Sequence, residues 1–72
     1  MPRKKRQIRR DLLHMGYSER SGKGDHKNYT HPWVNAIFTV DGKDGDDAKP
    51  YDEKTIREAR RRLEEARRRH QP

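Results

Sequence analysis

Residues 22–31 read GKGDHKNYTH. His26 follows two glycines, Gly22 and Gly24, and has a lysine close by on each side, Lys23 and Lys27. An imidazole titrates near neutrality and can take or give a proton within one reaction. Ammonium groups beside it can stabilise charge developing on a phosphate. Glycines let a backbone come close to a bound strand. RNA carries its own nucleophile, the 2′-hydroxyl, so its cleavage needs a base, an acid and positive charge, but no metal. The pattern therefore has the residue types for acid–base work at a phosphodiester, with no evident second acid–base group. Weighed against this, a lone histidine in a basic chain is ordinarily a surface residue, and the residue types alone do not assign catalysis to His26.

The remaining candidates are weaker. His14 falls in a helical segment, His31 precedes the turn proline Pro32, and His70 falls in an expected fraying tail. No two histidines stand four apart and there is no cysteine, so no zinc site is expected. The aspartates of DGKDGDDAKP miss the ligand spacing of a calcium loop, because Lys43 or Ala48 falls where an oxygen ligand is required. They read as turn chemistry. Trp33 suits either stacking on a base or covering a thin core.

The chain that must position these residues has 72 residues, 26% of them hydrophobic and 43% charged. That length makes one domain, 1–72, with a folded part of about 4–68 and a small core. The formal net charge is +7, distributed as +6 over residues 1–23, −3 over 24–55 and +4 over 56–72. Two basic ends around an acidic middle suit a polyanion such as RNA or DNA. Arg3, Lys4, Lys5, Arg6, Arg9 and Arg10 are expected to supply sequence-independent affinity, with Arg6, Arg9 and Arg10 assigned to substrate beside Gly24, Lys23 and Lys27. No apolar run suits a membrane span or a signal peptide, so a cytoplasmic protein is expected.

Periodicity places the elements. Ile8, Leu12 and Met15, widened by Leu13, mark a helix from about Lys4 to Met15, closed by Gly16. Its Lys/Arg-rich first turn opposes the helix dipole. A short strand is expected from Tyr17 to about Arg20, a second over HKNYTH, a turn at HPWVN and a third strand over AIFTV, residues 36–40. Ala36, Phe38 and Val40 are expected on its buried face. Asp52 is expected to cap a last helix with Pro50 and Tyr51 outside it, and Ile56, Ala59, Leu63 and Ala66 form its apolar stripe. Glu53–Arg57, Glu58–Arg62, Glu64–Arg68 and Glu65–Arg69 are spaced to pair along it. The order α-β-β-β-α gives an α+β fold, with both helices on one face of a three-stranded antiparallel sheet.

GYSERSGKGDHKNYTHP between a basic helix and a strand, followed by GKDGDDAKPYDEKTI at the opening of the last helix, resembles the HicA toxins of bacterial toxin–antitoxin pairs. The likeness covers about residues 4–66. It rests on Gly16-Tyr17, Gly24-Asp25-His26, His31-Pro32 and Lys49-Pro50, moderately specific in combination and weak singly. Position 25 is aspartate where the family usually has serine or threonine. The resemblance implies a small double-stranded-RNA-binding-domain-like fold and a metal-independent mRNA interferase with no cofactor, whose catalytic histidine is His26. It also implies an inhibitory partner, a HicB-type antitoxin. A non-catalytic RNA-binding module of the same fold and a basic ribosome- or nucleoid-associated protein stay open as alternatives.

Overall fold

The computed structural model describes residues 2–70. The chain runs α1 (Lys5–Met15), β1 (Ser18–Ser21), β2 (Lys27–His31), β3 (Val34–Val40) and α2 (Pro50–His70). The strands form one antiparallel sheet in the order β1-β2-β3. This is the expected α+β arrangement.

Both helices lay their apolar stripes on one face of the sheet. Ile8 and Leu12 of α1 and Ile56, Ala59, Leu63 and Ala66 of α2 form a single core with Tyr17, Tyr29, Val34 and Val40. The inner set of β3 is the expected one, extended by Val34, while Ile37 on the outer face is 68% exposed. Leu13 does not widen the α1 stripe; it is largely exposed. Tyr17 is not a strand residue. Gly16 ends α1 at φ 105°, and Tyr17 turns into the core, where its hydroxyl donates to the Ala59 carbonyl at 2.8 Å. The β2–β3 turn is confined to Pro32 and Trp33, so Asn35 lies within the strand.

The start of α2 also differs from expectation. Pro50 is its first residue, where a missing N–H costs nothing and the fixed φ suits a helix. Asp52 is therefore inside the helix. Its Oδ2 accepts from the Lys49 backbone N–H at 2.8 Å and from Lys5 Nζ at 2.7 Å. Asp52 is fully buried and Lys5 is 2% exposed. Lys5 Nζ also donates to Asp41 at 2.7 Å.

These contacts belong to a seam between the basic start of α1 and the loop at residues 41–49. Lys4 pairs with Asp47 at 2.5 Å and Arg9 with Asp44 at 2.6 Å. The loop also serves the helix backbone, because the Lys5 and Arg6 N–H groups donate to the Asp46 and Asp44 carbonyls at 2.8 and 3.2 Å. The aspartates read as turn chemistry are thus the counter-charges of α1. Of the expected pairs along α2, Glu58–Arg62 is present. Glu53 instead pairs with Arg3, while Arg61 bridges Glu58 and Glu65.

Burial by itself would lower the Lys5 ammonium, but its hydrogen bonds to Asp41 and Asp52 outweigh this and raise it. The hydrogen bond from Lys5 holds the Asp41 carboxyl below its usual value, and Lys4 does the same for Asp47. A carboxylate with a depressed folded-state pKa adds stability above its unfolded value of about 4, and that stability is lost as the pH falls. Thermal unfolding followed by circular dichroism should therefore show a falling Tm below about pH 4. At neutral pH, Lys5→Met should cost about 3–5 kcal/mol, because it strands Asp52 as a buried charge. The double variant Lys5→Met/Asp52→Leu should recover part of that loss. A Tm unchanged in the single variant would remove the pair from the account of stability.

Candidate active site

His26 closes the turn between β1 and β2. The Gly22 N–H donates to the His26 carbonyl at 2.8 Å, and the His26 N–H donates to the Lys23 carbonyl at 3.1 Å. Gly24, at the first central position of the inner turn, has φ 62°, and Asp25 does not have positive φ. Positive φ at that position alone is the type II′ pattern, which is why glycine stands there. Gly22 serves differently. A Cβ added to it would sit 3.2 Å from both the Cβ and the carbonyl oxygen of His26.

The turn also orients the imidazole. His26 Nδ1 lies 2.7 Å from the Lys23 carbonyl oxygen. A carbonyl only accepts, so Nδ1 must carry the proton. The neutral ring then has its lone pair on Nε2, and the side chain is solvent-exposed. A histidine held in this tautomer by a backbone carbonyl can accept a proton from a bound hydroxyl. Among the described residues its ring makes no other hydrogen bond.

Arg9 ties this turn to the rest of the molecule. Its Nη2 donates to the carbonyls of Asp25, Val40 and Gly42 at 3.1, 3.3 and 2.5 Å, and its Nη1 pairs with Asp44. Arg9 is 7% exposed. Its guanidinium is therefore engaged with protein, and the residue expected to meet substrate instead clamps the carbonyl next to His26. An open groove of about 270 Å³ lies over this clamp, with Gly24, Lys27 and Lys43 among its lining residues. Lys27 Nζ donates to Ser21 Oγ at 3.3 Å, and Lys23 is exposed within the turn.

The expected basic arm is divided. Arg3 is bound to Asp11 and Glu53, Lys4 to Asp47, and Lys5 and Arg9 are buried. Among the described residues, Arg6 and Arg10 are the two arm residues that stay exposed without an ion-pair partner. Thus Gly24, Lys23 and Lys27 gather at the His26 turn, Arg9 lies behind it, and Arg6 and Arg10 lie on the outer surface of α1.

One group escaped the sequence reading. His70 is the last residue of α2, not part of a frayed tail, and its ring stacks on Trp33. His31 meets Tyr17 and Trp33 edge to face. No periodic signal links residues 33 and 70; only the length of α2 brings them together.

The turn geometry carries a stability cost that can be measured. Gly24→Ala forces a Cβ into the left-handed region and should cost about 1–2 kcal/mol in urea unfolding. No neighbour lies within 4 Å of that Cβ, so crowding should add nothing. An unfolding free energy equal to that of the unaltered protein would mean that the turn has another geometry.

No family model, curated protein or solved structure matches this chain.

Proposed function

We propose that this chain is a metal-independent endoribonuclease, the toxin of a toxin–antitoxin pair, with His26 as its catalytic residue. The observation that carries the reading is the His26 ring, held through Nδ1 by the Lys23 carbonyl at an exposed position in a glycine turn. The likeness to the HicA toxins and the basic charge of the chain support it.

In this reading Nε2 takes the proton of an RNA 2′-hydroxyl. The 2′-oxygen attacks the adjacent phosphorus, the bond to the 5′-oxygen breaks, and a 2′,3′-cyclic phosphate remains. The departing 5′-oxygen takes its proton from solvent water, and the proton held on Nε2 returns to solvent afterwards. Lys23 and Lys27 stand beside His26 in sequence and stabilise negative charge on the phosphorane. Arg6 and Arg10 add affinity through phosphates without reading sequence. An uninhibited nuclease of this kind would harm its host, so the proposal includes a tightly binding HicB-type antitoxin. Acidic groups on that partner would speed association with a basic toxin.

A non-catalytic RNA-binding module is the second reading. It is favoured by the single hydrogen bond of the His26 ring, which goes to backbone and not to a second acid–base side chain.

Incubation of single-stranded RNA with purified protein in excess EDTA decides between them. The expected result is cleavage with cyclic-phosphate or 3′-phosphate ends, abolished by His26→Ala, together with growth arrest that an antitoxin relieves on co-expression. Binding without cleavage selects the second reading, and full toxicity of His26→Ala contradicts the site.

A further inference from the structure

The two turns that bound β2 carry different chemistry. His26 lies at one end of the strand and Trp33 at the other. Five strand residues separate them, about 17 Å at the rise of an extended chain. At the Trp33 end, the His70 ring lies parallel to the indole, with centroids 4.5 Å apart and planes 8° from parallel. His31 approaches edge to face at 5.5 Å and accepts the Trp33 backbone N–H on Nδ1 at 3.0 Å. Trp33 as a residue is nevertheless 43% exposed.

A half-exposed tryptophan is costly to leave in water, and here its neighbours fix its plane. The last turn of α2 beside it carries Arg67, Arg68 and Arg69, all exposed. Arg67 pairs with Glu64 at 3.7 Å. A flat apolar ring held in place beside a concentration of positive charge suits a ligand that is flat on one part and anionic on another. A nucleotide within a single strand has that form, because every base offers a π-face and every linkage a phosphate.

We infer that Trp33 is a stacking site for one unpaired base of a single-stranded RNA, with the arginines at the end of α2 engaging its phosphates. The site stands on residues outside the His26 turn and needs no cleavage. It gives the molecule two separate contacts with one strand, so affinity rises when an RNA is long enough to reach both turns.

Trp33 is the only tryptophan of the chain, so its fluorescence reports this site alone. The His26→Ala protein, which leaves RNA intact, is titrated with a short oligouridylate and with an abasic oligonucleotide of equal length. The expected result is saturable quenching by the oligouridylate and little by the abasic strand. Trp33→Ala should weaken oligouridylate binding about tenfold, as removal of a base–aromatic stack does, and Trp33→Phe should restore most of it. The quenching arm needs no substitution at Trp33, so it stands even if a variant folds poorly. Equal quenching by both strands, or equal affinity of Trp33→Ala, overturns the site. Quenching by the oligouridylate, together with no RNA cleavage by the unaltered protein, would uphold Trp33 while the His26 reading fails. A protein that cuts RNA with its Trp33 fluorescence untouched would do the reverse.

Discussion

The structure depends on burying two cations at the start of a helix. Lys5 and Arg9 lie one turn apart on the inner side of α1, beside Ile8 and Leu12. Leaving either unpaired away from water would cost several kcal/mol, a large part of the stability of a domain this small. Asp41, Asp44 and Asp52 answer those charges. The 41–49 loop is therefore fixed mainly by these charges and by its carbonyls accepting from the first N–H groups of α1, with Ala48 packed against the core. A core of ten side chains, two of them alanine, would by itself hold such a loop weakly.

The same cations connect the scaffold to the candidate site. Arg9 receives its charge balance from Asp44 through Nη1 and turns Nη2 to three carbonyls, one of them next to His26, while its buried Nε has no partner among the described residues. The β1–β2 turn is thus tied to the helix and to the end of β3 through one guanidinium. Lysine could not replace it, since an ammonium lacks the planar fork that reaches several acceptors at once. Pairing also redistributes surface charge. Arg3, Lys4, Lys5 and Arg9 are paired with carboxylates, while Arg6 and Arg10 on α1 and Lys23 at the His26 turn stay exposed, as do Lys43 and Lys49 of the loop.

The fold was legible because it follows from periodicity. Ile8 and Leu12, the glycine at position 16 and the Ile56–Ala59–Leu63–Ala66 stripe all signal locally, and β3 follows from its β-branched and aromatic run. The element order and the inner face of β3 were therefore within reach. Contacts across the chain were not. Lys5 and Asp52 are 47 residues apart, and neither type normally marks a buried position. Asp52 has the chemistry of an N-cap, which drew the helix start too far along the chain. Pro50 was the informative residue, because proline is favoured at a first helical position. At the site, the Gly-X-Gly spacing pointed to a turn, but the carbonyl that fixes the His26 tautomer belongs to Lys23, and no side-chain pattern reports a backbone acceptor. The role of Arg9 was hidden for the same reason.

The central claim is that this turn holds the His26 imidazole with its proton on Nδ1 and its lone pair on Nε2. Nitrogen NMR of the histidine rings, recorded at a pH where they are neutral, measures this directly through the separate shifts of the two nitrogens. The expected spectrum shows His26 protonated at Nδ1, with that proton protected from exchange by the Lys23 carbonyl. In Arg9→Lys, the protection should weaken as the turn loosens. A His26 ring protonated at Nε2, as is usual for a free imidazole in water, would contradict the account.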